Sequence, residues 1–446
     1  MSACSFTSFT FPVVHQRSRT PGRPNVLSAA RGRQLACKGA STTEASGNVW
    51  QPPPRIQKQP GGEDVVIIRE PAPRDGTLLD IATEVSGLHC ASVQELIDLG
   101  AVYYGDPAAC DEAPKWRRAN RLAEAAQDHP IQQGQWIRVH PNPKRYPAAQ
   151  AVDWAARVIH LDADICVVNK PAGIPVQSHE SNSVETVPRC LEKALGLDRL
   201  MMLHRLDYCT TGALLLGRSE QSSKLFTQDM MDHKVQKQYK VLTFAPLEAG
   251  SELVHYMYPG PFGSRLEVMG GKGLRARGPR LLSRQPLSTD KQWKKCALKI
   301  VDTKEISVLD NTNAWILSLL QSSTSSHNGA ASTTSVFGNA GENTREEPSN
   351  VKQLPERIYE STINLSFGGR THQIRAQLAA IGAPLIGDVM YGAIAGATVS
   401  DTGVADEELV RRTECCSQID GPIGLHAYSL TWQGRTYTAV PPWADT

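Results

Sequence analysis

The first 43 residues contain neither aspartate nor glutamate. No run of 18 or more apolar residues occurs anywhere in the chain, which excludes a membrane-spanning helix. Ten cysteines are scattered without a single C-x-x-C pair, so the spacing of a structural zinc site is missing. In a chain of this length they do not make a disulfide scaffold either. No glycine-rich loop of the Walker or Rossmann kind precedes a helical segment, so no nucleotide cofactor site can be read. Charge of one sign is also missing on average. The 47 Lys and Arg against 45 Asp and Glu give a net charge of +2, which taken alone speaks against a polyanion binder.

What is present changes that reading. The 446 residues are 40% apolar and 21% charged, enough for a real core and too little charge for a disordered chain. The length fits two domains with extra segments. The charge is unevenly spread. Residues 1–43 carry Arg17, Arg19, Arg23, Arg31, Arg33 and Lys38 together with eleven Ser and Thr, the composition of an organelle transit peptide. No apolar signal-peptide segment accompanies it. Hydroxyl residues outnumber basic ones, which points to the chloroplast before the mitochondrion. Without these six basic residues, acids are in excess in the remainder. A second surplus lies between Ser264 and Lys299, where ten basic residues face only Glu267 and Asp290, a footprint suited to a phosphate backbone.

Along the chain, residues 44–75 read as a linker that includes Pro52-Pro53-Pro54. Residues 76–147 read as a small α/β domain. Leu78, Leu79, Ile81, Ala82 and Val85 recur at helical spacing, and Ser92 with Glu95 predicts a capping box for a second helix stopped by Gly100. Ala101–Tyr104 and Gln135–His140 predict strands. From residue 152 onward strands dominate. Residues 156–161 and 165–170 read as a hairpin, Met202–Asp207 leads as a strand into the buried run Gly212–Leu216, and Gln238–Phe244 and Glu360–Phe367 follow. Helices are predicted over Ser222–His233 and Thr371–Ala380, the second with Ile374, Leu378 and Ile381 on one side. Residues 321–350 are too poor in large apolar side chains to fold and read as a disordered insertion, with a second insertion at 393–421.

Four segments carry chemistry: "NKPAGIPVQS" from Asn169, "HRLDYCTTGALLL" from His204, "KQY" from Lys237, and "GGRTHQIRAQLAAIGAPLIGDVMYG" from Gly368, followed by "LHAYSLTW" from Leu425. Asp207 lies ahead of a polar turn and a buried Leu run. A partly dry carboxylate there needs a cation to stay ionised, and Arg375 is the natural counter-ion. Such an Asp can serve as nucleophile or base. Tyr239 offers a ring to a planar base and a hydroxyl for proton transfer. Arg370, His372 and Arg375 form an anion-binding cluster. No metal-ligand spacing appears. Singly, each feature has an ordinary structural explanation, a salt bridge for the Asp and a core position for the Tyr. Their order and spacing together are specific.

In these motifs, from about Val158 to Trp443 apart from the insertions, the sequence resembles the RluA-type RNA pseudouridine synthases. The overall arrangement is similar to that of organellar members from plants and green algae. The resemblance implies an α+β fold, a mixed and largely antiparallel sheet with flanking helices, over residues 152–446. The small domain before it resembles the RNA-binding domain named after a small-subunit ribosomal protein. The resemblance further implies that Asp207 is the catalytic aspartate, Tyr239 the tyrosine that stacks on uracil, and Arg375 the partner of the aspartate. Arg205 would occupy the space of the flipped base, Lys170 with Pro171 matches the lysine-proline pair of the first motif, and Arg370 and His372 would meet phosphate. Thr211 stands where the family has Ser, and Gly368 where "TGR" is usual; neither removes a catalytic group. The partner implied is organellar rRNA or tRNA. No cofactor or metal is needed, and a monomer in the chloroplast is expected. Two other readings stay open on the residues alone: a catalytically inactive RNA-binding or ribosome-assembly factor, and a hydrolytic N-glycosidase.

Overall fold

The structure, a computed structural model, describes residues 56–58, 64–106, 114–121, 126–258, 278–286, 293–308, 313–325, 355–367, 369–399, 409, 412 and 421–444. The leader over residues 1–43, Gly368, most of both insertions, and Arg265, Lys272, Arg275, Arg277 and Lys291 of the basic run lie outside them.

Residues 68–139 form a four-stranded antiparallel sheet in the order Ile68–Pro71, Trp136–Val139, Val102–Gly105, Arg117–Arg118. Its first strand falls in the stretch read as linker. Helices Leu78–Ser86 and Cys90–Leu99 lay Leu78, Ile81, Val93 and Ile97 against Val102, Ile137 and Val139. The expected Ser92–Glu95 capping box does not form. The helix starts at Cys90, and the His89 side chain accepts from Ala91 N at 3.3 Å, which leaves Ser92 inside the first turn. Gly100 does end the helix, at φ +76, and a Cβ there would lie 2.5 Å from Ser183 Oγ. This region is bonded to the 179–183 segment by the Tyr103 hydroxyl to Glu180 O (2.5 Å), Arg118 to His179 O (3.1 Å), Ser183 N to Leu99 O (2.9 Å) and an Arg138–Glu180 ion pair.

From residue 158 the described strands form one sheet of eleven. In chain order they are β1 Val158–Leu161, β2 Ile165–Lys170, β3 Met201–Met202, β4 Thr211–Gly217, β5 Gln236–Thr243, β6 Glu252–Met257, β7 Leu282–Ser283, β8 Lys294–Ser307, β9 Arg357–Phe367, β10 Leu425–Trp432 and β11 Arg435–Thr438. The spatial order is β7-β6-β8-β9-β5-β10-β4-β2-β1, with β3 on β4 and β11 on β10. Every pairing is antiparallel except β4 with β10, where Thr211 and Gly212 align with His426 and Ala427. The expected α+β fold with a mixed, largely antiparallel sheet is therefore what the chain adopts.

The unbroken Leu214-Leu215-Leu216 run has a simple cause: β4 is covered on both faces, so alternation is lost. Leu214 and Leu216 join a core with Val187 and Leu191 of helix α1 (Val187–Leu195), whereas Leu215 packs with Phe226 of helix α2 (Glu220–Met231) and Trp432. Gly212 permits the parallel pair. At φ +115 a Cβ would sit 2.3 Å from Ala427 O. Helix α3 (Ala314–Ser325) reaches into the segment read as a disordered insertion from Gln321, because Ile316, Leu319 and Leu320 bury against Leu242, Ile358 and Trp443. Helix α4 (Gln373–Ala380) was expected to be amphipathic with Ile381. Instead all eight of its residues are buried and Ile381 is exposed. A short helix α5 (Val389–Gly392) follows.

Candidate active site

Asp207 does not end a strand. The segment 203–207 is irregular between β3 and a turn at Tyr208-Cys209. The pattern of Met202–Asp207 reads as a strand, but a side chain replaces a ladder partner: Leu215 N donates to His204 Nε2 at 3.1 Å. The turn closes with Thr210 N on Asp207 O at 3.1 Å. Beneath it lies Lys170, fully buried at the end of β2. Its Nζ donates to the carbonyls of Pro171 (2.8 Å), Thr210 (2.9 Å) and Tyr208 (3.3 Å). Burial pushes its pKa down to about 7, against the Cys209 thiol and the Asp207 carboxylate, which favour the charged form. Three carbonyls match the three protons of an ammonium, which favours that form further. The structure therefore does not bring Lys170 to the surface with the other predicted RNA contacts; it pins the loop that carries Asp207.

The remaining six predicted residues meet in one cleft of about 150 Å³. Arg205, Asp207, Tyr239, Arg370, His372 and Arg375 line it, with Lys237, Leu365 and Gln373. Arg205 is exposed at the lip and donates to Gln177 Oε1 at 3.1 Å. Asp207 keeps 16% of its side chain exposed, and its Oδ2 lies 3.8 Å from both Arg375 Nη1 and His372 Nε2. Tyr239 comes from the centre of β5, between β9 and β10. Burial, then the charge of Asp207, pushes its hydroxyl pKa up, so the phenol stays protonated at neutral pH.

Arg375 was expected to pair with Asp207. The structure shows a closer partner. Its Nε and Nη2 donate to the two oxygens of Asp388 at 2.7 and 2.9 Å, and the Asp388 side chain is fully buried. Against burial, which works to lower it, Asp388 holds the Arg375 pKa well above its ordinary value. One arm of the guanidinium is thereby left toward Asp207. Asp388 also accepts from Tyr391 N at 3.2 Å, starting α5. Its place in "GDVMYG" gave no spacing signal.

The "GGRTHQIR" loop is built around Gln373. The Gln373 Oε1 accepts from Gly369 N (2.8 Å) and Arg370 N (3.1 Å), and its Nε2 donates to Gln377 Oε1 (3.1 Å). His372 precedes the helix in the left-handed region at φ +60, a conformation a non-glycine residue adopts only when its surroundings impose it. Burial, then the neighbouring Arg375, pushes its pKa down to about 4, so it is neutral at pH 7. Arg370 Nε is buried with no hydrogen-bond partner among the described residues, at the wall of the cleft. Two further residues escaped the sequence reading as site members. Lys237 lines the cleft with its pKa lowered to about 8 by burial. Arg280, from the basic run, places its main-chain N–H 2.8 Å from the Tyr391 hydroxyl.

Among the described residues that line the cleft, one carboxylate thus stands among four cationic side chains. Thr211, the departure from the family pattern, is satisfied internally: its hydroxyl lies 2.8 Å from the buried His426 Nδ1.

The sheet and this cleft fit the fold and site that the motifs imply. Residues 164–380 match the family profile described as RNA pseudouridylate synthase, and the chain belongs to that family. The chain is similar to the rice (Oryza sativa subsp. japonica) protein RNA pseudouridine synthase 6, chloroplastic, with 27% identity over 91% of this chain and 85% of that protein. Its similarity to RNA pseudouridine synthase 6, chloroplastic, of Arabidopsis thaliana is 30% over 73% of this chain and 61% of that protein. Among solved structures it aligns with Human RNA Pseudouridylate Synthase Domain Containing 4 at 16% identity, over 66% of this chain and 91% of that one, with a TM-score of 0.37.

Proposed function

We propose that the chain converts specific uridines in chloroplast RNA to pseudouridine, and that residues 152–446 carry the reaction with the small domain at 76–147 beside them. The observation that carries this is the one carboxylate among the described residues that line the cleft, set among cations that suit a phosphate backbone. A hydrolytic N-glycosidase that activates water with a second carboxylate finds none among the described residues lining the cleft. The nearest candidate, Asp388, is dry and committed to Arg375.

The target base leaves its stack, which costs a few kcal/mol, and Arg205 at the lip fills the space left behind. Asp207 then acts on the ribose, as nucleophile at C1′ or as base at C2′. The N1–C1′ bond breaks, the uracil turns, C5 bonds to C1′ as the bond to Asp207 breaks or the C2′ proton is returned, and the C5 proton is lost while N1 gains one, so that no atom is gained or lost. Tyr239 supplies a ring against the detached uracil and, being protonated, a hydroxyl donor rather than a free phenolate. Arg375, neutralised by Asp388 on one side, stabilises the ionised Asp207 on the other. Arg370, with its unmet Nε–H, takes the flanking phosphate, whereas His372, neutral and with Nε2 toward Asp207, stays with the carboxylate. The substrate is organellar rRNA or tRNA and the working form a monomer. Residues 1–43 act as the import leader, to the chloroplast before the mitochondrion. Among the described residues no helix is long and apolar enough to cross a membrane.

The test is mass-spectrometric mapping of pseudouridine in chloroplast RNA incubated with the purified protein. New pseudouridine at a discrete site is expected. Release of free uracil, or RNA binding with no new pseudouridine, overturns the proposal.

A further inference from the structure

Tyr391 lies behind the cleft on α5, fully buried. Its hydroxyl oxygen accepts the main-chain N–H of Arg280 at 2.8 Å, and His372 Nδ1 lies 3.2 Å away. A phenol oxygen that already accepts one hydrogen bond still has one proton to give. Leaving that proton unpaired in a buried site costs about 1–3 kcal/mol. His372 Nδ1 is the acceptor within reach among the described residues. Taking the Tyr391 proton means that Nδ1 carries none of its own, so the neutral imidazole must hold its proton on Nε2. Nε2 is the atom that lies 3.8 Å from Asp207 Oδ2. The opposite tautomer would turn a lone pair toward the carboxylate oxygen and repel it.

We propose that Tyr391 is a positioning residue whose hydroxyl fixes the His372 tautomer that presents an Nε2–H to Asp207. The inference rests on the catalytic role given to Asp207 above. Two further features support it. The left-handed backbone at His372 (φ +60) and the edge-on packing of its ring against Tyr391 (centroids 5.7 Å apart) restrict how the imidazole can turn. Burial and Arg375 also keep the ring neutral, so it has only one proton to place. The chain of contacts starts at the main-chain N–H of Arg280.

Tyr391→Phe tests this with little disturbance. It keeps the buried ring and the face that Arg375 stacks on at 4.9 Å, and removes only the hydroxyl. The expected result is a fall of about fivefold in kcat, the rate equivalent of one ordinary hydrogen bond, with KM for RNA unchanged within about twofold. In a His372→Ala background the same change should cost nothing more, because the residue it acts through is gone. Nitrogen-15 NMR of histidine-labelled protein should show His372 protonated at Nε2 in the wild type and a mixture of tautomers in Tyr391→Phe. A wild-type spectrum with the proton on Nδ1, or equal losses from Tyr391→Phe with and without His372, overturns the proposal. The spectrum is read without turnover. Failure of the synthase reading (no pseudouridine from the wild-type protein) is therefore told apart from failure of this one.

Discussion

Replacing Asp388 by asparagine probes the part of the site most deeply buried. Arg375 keeps 3% of its side chain exposed and Asp388 none, and two charge-assisted hydrogen bonds of 2.7 and 2.9 Å join them. Breaking such a pair by removing one charge costs about 3–5 kcal/mol, because the partner stays buried and uncompensated. In a domain of this size each kcal/mol moves the midpoint of thermal unfolding by about 2–4 °C, so a drop of roughly 10 °C is expected. Catalysis should suffer for a separate reason. With Asp388 neutral, the nearest carboxylate to Arg375 is Asp207, now 3.8 Å away. The guanidinium would close on it and occupy the oxygen that must react. A fall in kcat of about tenfold or more, with little change in KM for RNA, follows from a group that never touches the substrate. Circular dichroism melts and single-turnover pseudouridine formation read the two effects. A midpoint within about 2 °C of wild type together with kcat within about twofold would refute the reasoning, since ordinary surface changes stay inside that range.

Two further outcomes follow from the cleft. Arg370→Ala should weaken RNA binding across sequences and reduce the slope of log Kd against log salt by about one, measured by filter binding at several salt concentrations. An unchanged slope would remove Arg370 from the phosphate contacts. The pKa of Lys237 is lowered by burial to about 8. It is protonated below that value and loses its charge above it, so RNA affinity should fall as pH rises from 7 to 9. Lys237→Met should flatten that limb; a wild-type affinity that is level across this range contradicts the placement of an ammonium at the cleft.

Much of the sheet could be read from residue pattern. The hairpin of β1 and β2, the buried β4, and the strands β5 and β9 all lie within a few residues of where alternation and apolar runs place them. The reading failed where a side chain did the work of backbone. His204 replaces a strand partner for Leu215, so Leu203–Asp207 is a loop, and His89 caps a helix that Ser92 and Glu95 were read to start. Helix α4 carries Gln373, Arg375 and Gln377, which look solvent-facing, yet all three are buried because each finds polar partners inside. The site was legible in its motifs: Asp207, Tyr239 and Arg375 lie far apart in sequence and share one cleft. Asp388, Gln373 and Tyr391 were not, since what makes them matter is a partner brought close only by folding. Lys170 shows the reverse case. Its motif is plain, but its charge is spent on three carbonyls beneath the site.

The central claim is that one carboxylate performs the chemistry. Asp207→Asn changes a single oxygen to an amide in a side chain that is 16% exposed, a substitution the fold should tolerate. Pseudouridine formation on a substrate RNA, quantified by mass spectrometry in single turnover, should be abolished while RNA affinity stays within a few-fold of wild type. Formation of pseudouridine by Asp207→Asn at the wild-type rate would contradict the account.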